Sequence, residues 1–244
     1  KQKRSQITIF IILAVIIIGI LVVFFFFQQN QNKNAQTTVQ KEIQPVYDYV
    51  QECASHTAYD GLVYLANTGG YFVRQDSSNA DGVAYYYLDN KNFVPTKQQL
   101  GKEISLYMNN LLPFCTAGFS LFTDYTIEED EITSQTTILE DKIIIKINYP
   151  LQITKADQTT QLENFQIEIP NRLATLQSVA DQITNNIIER PVCITCIQQI
   201  ADNHDVYVNM MQNENDFLIT ITDPHSQVYE QNYSFNFAGR YNAQ

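Results

Sequence analysis

An uninterrupted hydrophobic segment, residues 7–27, limits what this chain can fold into more than any other feature. Of its 21 residues, 18 are Ile, Leu, Val or Phe, and the others are Thr8, Ala14 and Gly19. A helix of that length matches the ~30 Å hydrocarbon core of a bilayer. Because such a helix is apolar on every face, we expect it to lie in a membrane or against copies of itself.

The charges around this segment predict its orientation. Lys1, Lys3 and Arg4 precede it, and no charged residue follows until Lys33. Positive residues stay on the cytoplasmic side, so the N-terminus is initially cytoplasmic and the rest of the chain lies outside. The segment is longer than the apolar region of a secretory signal and no small-x-small cleavage site follows it, so we expect it to be retained.

The remainder of the chain, residues 28–244, is strongly acidic. Three of the 15 Lys and Arg precede the hydrophobic segment, which leaves 12 against all 26 Asp and Glu, a formal charge of −14. Nucleic acids and anionic lipid surfaces require clustered positive charge. We therefore expect no nucleic-acid partner. The acidic run of residues 128–131 lacks the spacing of a calcium-binding loop and is interpreted as a solvated loop.

Four cysteines follow the hydrophobic segment, in a compartment where disulfides persist. Of the three pairings, we favour Cys53 with Cys115 and Cys193 with Cys196. The C-x-x-C spacing of the second pair also allows thiol–disulfide exchange, and zinc binding through all four cysteines is a further alternative. Structural disulfides are the favoured interpretation, with no metal and no cofactor.

Hydrophobic periodicity predicts an α+β fold in which a long N-terminal hydrophobic helix precedes a mixed ectodomain with an antiparallel sheet and several helices. We divide the chain into a basic N-terminus (1–6), the hydrophobic helix (7–27), a polar stalk or helix continuation (28–44) and the α+β domain (45–244). Helices are predicted over 42–66, from a capping box at Thr96, from a cap at Asn171 and around the C-x-x-C motif. Strands are predicted over 83–88, 93–94, 133–139, 142–149, 159–169, 206–211, 217–222 and 229–237.

No residue pattern indicates an enzyme. His56, His204 and His225 are the only histidines, and no nucleophile motif accompanies them. Asn232 begins an Asn-Tyr-Ser sequence, which is an acceptor for N-glycosylation in an exterior domain.

The sequence KRSQITIF at residues 3–10, followed by the apolar run, resembles the N-terminal signal region of archaeal type IV pilin-like proteins. In that family a peptidase cuts after a basic leader, the hydrophobic helices bundle as a filament core, and the C-terminal domains are displayed outside. The equivalent cut here would fall between Ser5 and Gln6. Phe10 then stands at the fifth position, where the family often has an acidic residue. The rest of the chain looks like single-span archaeal surface proteins of unknown function.

These features together predict a structural protein of the cell surface whose hydrophobic helix mediates anchoring and self-assembly, as in a pilin-like filament subunit. Its expected partners are copies of itself, the lipid membrane, or both. Close helix contacts are expected at Ala14 and Gly19, because small residues let backbones approach. The other expected contacts along the segment are Ile7, Phe10, Ile16, Val23 and Phe27. The alternatives are a monomeric membrane-anchored binding or adhesion module for a protein or glycan, and a membrane-tethered thiol–disulfide protein.

Overall fold

The structure is a computed structural model that describes residues 41–190 and 193–241. The chain divides into two compact units, residues 1–44 and 45–244. The described helices and strands make up the second unit, with the first helix beginning one residue ahead of it. The predicted hydrophobic helix of residues 7–27, its contact residues and most of the predicted stalk lie outside the described residues.

The first described helix, α1, spans Gln44–Asn67 and confirms the helix predicted over 42–66. Its buried positions recur every three or four residues, from Val46 to Ala66, so one face of the helix is turned to the core. Two glycines end it. Gly69 and Gly70 both have positive φ, and the Gly70 N–H donates to the Leu65 carbonyl at 2.7 Å.

A short hairpin and a second helix follow. Strands β1 (Tyr85–Leu88) and β2 (Lys91–Asn92) are joined by Asp89 and Asn90, which both have positive φ. Helix α2 spans Lys97–Thr116 and begins at the predicted capping box. The Thr96 side chain accepts from the Gln99 N–H, while the Gln99 side chain accepts from the Thr96 N–H.

The next four strands form the first sheet. They are β3 (Thr126–Glu129), β4 (Thr133–Ile138), β5 (Lys142–Lys155) and β6 (Gln158–Pro170). β5 is central: β6 pairs with one of its edges, and β3 and β4 pair with successive parts of the other, all antiparallel. Side chains of β5 alternate between buried and exposed, so one face of this sheet contributes Ile143, Ile145 and Ile147 to the core.

Two helices and the second sheet complete the unit. Helices α3 and α4 span Leu173–Glu189 and Ile194–His204, and strands β7, β8 and β9 span Tyr207–Asn213, Asp216–Val228 and Gln231–Arg240. The five-stranded sheet has the order β2-β1-β9-β8-β7. Its core face carries Ile219, Ile221, Phe235 and Phe237, each no more than 1% exposed.

Helix α1 packs on both sheets. Near its start, Tyr47 stacks on Phe165 of β6 with ring centroids 5.3 Å apart. Near its end, the Tyr233 hydroxyl of β9 donates to the Leu62 carbonyl at 3.2 Å. The first helix of the unit therefore contacts both of its sheets.

The described unit is α+β, as predicted, but the predicted fold is wrong in two respects. First, none of the helices described between residues 41 and 241 has the length and hydropathy needed to cross a membrane. The outer faces of these helices carry polar and acidic side chains, such as Asp48 and Glu52 of α1. Second, the sheets are not all antiparallel, because β1 pairs in parallel with β9. Periodicity reveals that a strand exists but not which distant strand it will join.

Three local predictions were also wrong. The strand predicted over 93–94 lies at Lys91–Asn92, because Asp89 and Asn90 close the hairpin with a two-residue turn.

Asn171 does not cap α3: the N-cap is Arg172, without a side-chain cap, and Asn171 is buried at 1% exposure. The Arg172 N–H is satisfied instead by the Ser226 hydroxyl at 2.8 Å, so a tertiary contact replaces the local cap. Glu128 and Glu129 belong to β3, not to a loop, because β5 is long enough to pair with them.

Candidate functional site: an exposed tyrosine face

Both predicted disulfides are present. Cys53 of α1 is bonded to Cys115 of α2, with Cα atoms 5.6 Å apart, and Cys193 is bonded to Cys196, with Cα atoms 5.2 Å apart. The first bond ties α1 to α2 through two cysteines that are 62 positions apart in the sequence. All the described cysteines are used, so none remains for a zinc site.

The second disulfide sits at the start of α4. Cys193 is the N-cap, and its sulfur accepts a hydrogen bond from the Cys196 N–H at 3.3 Å. Both cysteines are partly exposed. The bond therefore closes the first turn of the helix, which agrees with the structural interpretation. No histidine contacts either sulfur in the described part of the chain.

Each of the three histidines has a different side-chain partner. His56 is 3.9 Å from Glu52 on the exposed side of α1, and His225 is 2.5 Å from Asp205. His204 contacts the amide of Gln182 at 2.9 Å. These partners are two carboxylates and an amide, and none of them is the serine hydroxyl or cysteine sulfur that a nucleophile–base pair requires.

An acidic cavity of about 270 Å³ lies along β3, lined by Glu128, Glu129, Asp130, Pro150, Leu151, Gln152, Gln161 and Glu163. Glu129 accepts a hydrogen bond from the Tyr149 hydroxyl, which in turn contacts Thr116 in the core. Burial and this carboxylate raise the pKa of Tyr149. Within the residues that the structure describes, no three His, Cys, Asp or Glu side chains are placed to hold a metal ion.

The most distinctive exposed surface lies on the outer side of α1 and is called here the tyrosine face. It consists of Tyr59, Asp60, Tyr64, Phe72, Tyr107 and Tyr229. Tyr64 and Tyr229 are 42% and 50% exposed, and they belong to one cluster of aromatic side chains. The rings come from α1, from the segment after it, from α2 and from the β8–β9 turn, so no single stretch of sequence displays the face.

Three rings at one end of this face pack on each other. The centroids of Tyr64 and Tyr107 are 5.6 Å apart, those of Tyr64 and Phe72 6.0 Å, and those of Phe72 and Tyr107 5.4 Å. Gly61 makes room for them, because a Cβ atom there would lie 2.9 Å from the Tyr107 ring. Because Gly61 has no side chain, Tyr107 of α2 can pack directly against α1.

Asp60 joins the two ends of the face. Its carboxylate accepts a hydrogen bond from the Tyr229 hydroxyl at 2.6 Å, and the Tyr229 ring also contacts Tyr59 at 5.9 Å. Burial and the hydrogen bond to Asp60 raise the pKa of Tyr229 to about 12. Burial, followed by the charge of Asp60, raises the pKa of Tyr107. The phenols of Tyr229 and Tyr107 therefore keep their protons to a higher pH than an ordinary tyrosine.

The acidic character continues toward the start of α1. A groove of about 430 Å³ between α1 and β6 is lined by Asp48, Gln51, Glu52, Ser55, His56, Gln166, Ile167 and Glu168. Helix α1 contains no Lys or Arg along its whole length. The outer side of this helix thus combines aromatic surface with negative charge, a composition suited to contact with a partner that carries positive or apolar groups.

The structure places the remaining predicted site residue, Asn232, at the exposed start of β9. An exposed acceptor is what glycosylation requires. The tyrosine face was not predicted as a site. The only local signal was the i, i+4 spacing of Asp60 and Tyr64 on the polar side of an amphipathic helix.

No family model matches the chain, and no curated protein or solved structure is significantly similar to it.

Proposed function

We propose that this chain is a structural protein of the cell surface. In this proposal the hydrophobic segment 7–27 anchors the chain and mediates its self-assembly, as in a pilin-like filament, and residues 45–244 are displayed outside. The N-terminal charges Lys1, Lys3 and Arg4 support the orientation. No catalytic step is assigned to the chain.

The observation that carries the proposal is the position of α1. This helix begins 17 residues after the hydrophobic segment ends and is the first element of the displayed unit. It packs on β6 through Tyr47 and on β9 through Leu62, and Cys53 bonds it covalently to α2. A pulling force applied through the N-terminus would act first on α1, which contacts both sheets and is covalently bonded to α2. This arrangement suits a protein that is displayed from an anchor or a filament.

The disulfides support the exterior location, because such bonds persist in oxidising compartments and are rare in the cytosol. The acidic charge of the displayed part supports spacing between neighbours, since like charges repel over about 10 Å at moderate salt.

A second candidate function is a membrane-anchored binding or adhesion module. It is favoured by the tyrosine face, because tyrosines concentrate in protein contacts and Tyr64 and Tyr229 are exposed. In this version the hydrophobic segment anchors single copies in lipid.

A charge placed in the hydrophobic segment tests the proposed function. Ile16→Asp puts a carboxylate at the centre of residues 7–27, which costs about 2.5–3.5 kcal/mol in a membrane. We expect polymers sheared from cells to disappear while both disulfides still form. Gln28→Asp, just beyond the segment, is the matched control and should still assemble. Polymers that persist with Ile16→Asp would exclude the segment as the assembly element. Wild-type protein found only as membrane monomers would favour the binding module.

A further inference from the structure

The edges of the two described sheets differ in how they are protected. An edge strand presents unpaired N–H and C=O groups that can pair with another chain, and proteins block such edges with short strands, charges, prolines or a covering helix. In the five-stranded sheet, one edge is β2, which has only two residues. It is too short to accept a partner strand.

Both edges of the other sheet are also blocked. Helix α2 lies along β4, with Gly101 so close that a Cβ atom would be 2.9 Å from the Thr136 carbonyl oxygen. Ser105 adds a hydrogen bond to the Thr136 hydroxyl at 2.9 Å. β3, beside β4, has four residues, and two of them are glutamates.

The opposite edge of that sheet, β6, is protected by its own side chains. It carries Glu163 and Glu168 and ends at Pro170. In addition, the Gln51 side chain of α1 donates to the Gln166 carbonyl at 2.9 Å. A strand that approached β6 would meet the carboxylates of Glu163 and Glu168. It would also find the Gln166 carbonyl already hydrogen-bonded to Gln51.

The other edge of the five-stranded sheet is β7, whose own sequence provides no such protection. Its seven residues, Tyr-Val-Asn-Met-Met-Gln-Asn, include no charge and no proline. Tyr207 and Met211 are 67% and 56% exposed. β7 pairs with β8 along its whole length, and no described backbone group pairs with its other edge.

The turn after β7 shows which of its backbone groups face outward. Glu214 and Asn215 connect the strands, so Asn213 and Asp216 close the hairpin as a hydrogen-bonded pair. Because bonded and non-bonded pairs alternate in antiparallel strands, Asn209, Met211 and Asn213 bond to β8. The N–H and C=O groups of the intervening residues, Val208, Met210 and Gln212, therefore point away from the sheet.

We propose that β7 is a self-association edge that pairs antiparallel with β7 of a second copy, centred on Met210. In this register Met210 faces Met210 of the second copy, and Val208 faces Gln212. The outward groups then form about six hydrogen bonds. The two five-stranded sheets become one continuous sheet of ten strands. This contact concerns the displayed unit and goes beyond the assembly proposed for residues 7–27.

Charge favours a second copy as the occupant. The chain has a formal net charge of −11, so two copies repel each other on average, whereas β7 itself carries no charge and pairs without placing like charges directly opposite. At each end of the paired strands, Glu214 would approach Asp205 of the second copy. Screening of that repulsion predicts that added salt strengthens the dimer.

Symmetry limits where this contact can act. Pairing of a strand with itself has a two-fold axis, and a filament whose subunits all point the same way has none between successive subunits. The β7 contact would therefore join neighbouring filaments, or neighbouring anchored copies, and not extend a single filament.

Cysteine cross-linking of the full chain in mild detergent tests the register. Met210→Cys places two thiols opposite each other, within disulfide reach. Val208→Cys is the matched control, since its own counterpart lies four residues away along the second strand. We expect an oxidised dimer for Met210→Cys and a much smaller fraction for Val208→Cys. Equal cross-linking of both variants, or of neither, would overturn the proposal.

A second variant tests the contact without new cysteines. Met210→Pro removes an N–H that points away from β8, so the hairpin can keep its hydrogen bonds. It removes two of the bonds between copies, and the dissociation constant measured by sedimentation should rise about tenfold to a hundredfold. Met210→Lys, which places like charges opposite each other, should also weaken the dimer. Unchanged mass for both folded variants would overturn the proposal. Sheared polymers should persist in both, which separates this test from that of Ile16→Asp.

Discussion

Removal of the Cys53–Cys115 disulfide should destabilise the displayed unit more than removal of Cys193–Cys196. The bonds join residues separated by 62 and by 3 positions, respectively. A cross-link stabilises mainly by restricting the unfolded chain, and the effect grows with the logarithm of the loop length. The double variants Cys53→Ala/Cys115→Ala and Cys193→Ala/Cys196→Ala therefore form a matched comparison.

The loop lengths give the expected size of each effect. The chain-entropy relation gives about 4 kcal/mol for the long loop and about 2 kcal/mol for the short one. For a domain of this size each kcal/mol lowers the melting temperature by about 2–4 °C, so the expected decreases are about 8–16 °C and about 4–8 °C. Cys53 is also 4% exposed, so its loss leaves unfilled space in the core and adds to the first value.

Circular dichroism of the full chain in detergent, followed through thermal unfolding, would measure both decreases. The single variants Cys53→Ala and Cys193→Ala control for free thiols that could form wrong bonds. A larger decrease for the short loop, or equal decreases for both, would refute the loop-length reasoning. It would also show that the covalent link between α1 and α2 is not a main source of stability.

Three further predictions follow from individual contacts. Gly239→Ala should destabilise the fold by about 1–3 kcal/mol in denaturant titration, because a Cβ atom there would lie 2.0 Å from the Phe217 ring; an unchanged midpoint would contradict the packing. The hydrogen bond from Arg240 lowers the pKa of Asp216, so its stabilisation is present above the ordinary pKa of about 3.9 and is lost as the pH falls through the lowered value. Asp216→Asn should therefore flatten the acid side of the stability curve, and identical curves would contradict this. Tyr229→Phe removes the hydrogen bond to Asp60 at 2.6 Å, and tyrosine absorbance titration should then lose one phenol with a pKa of about 12.

Local patterns predicted the helices and most strands. The capping box at Thr96 and the glycines after α1 are signals that a few neighbouring residues determine, and the structure has both where they were expected. Both disulfides were predicted as well. The choice of the local pair for Cys193 and Cys196 left Cys53 and Cys115 as the second bond.

The features that the sequence did not reveal all depend on distant residues. β1 joins β9 in parallel across about 150 positions, and no periodicity encodes that choice. Arg172 replaces Asn171 as the cap of α3 because Ser226, on β8, satisfies its N–H. The tyrosine face likewise required four separate segments to meet. The protection of β4 and β6, and the lack of it on β7, became visible only once the strand order was known.

Electron microscopy of material sheared from intact cells tests the central claim most directly, namely that the chain assembles at the cell surface through residues 7–27. The proposed function predicts membrane-free polymers that contain this chain, with the displayed units on the outside and both disulfides formed. The polymers should be absent from cells that carry Ile16→Asp and present in cells that carry Gln28→Asp. Wild-type chain recovered only as dispersed monomers, with no polymer in the sheared fraction, would contradict the claim.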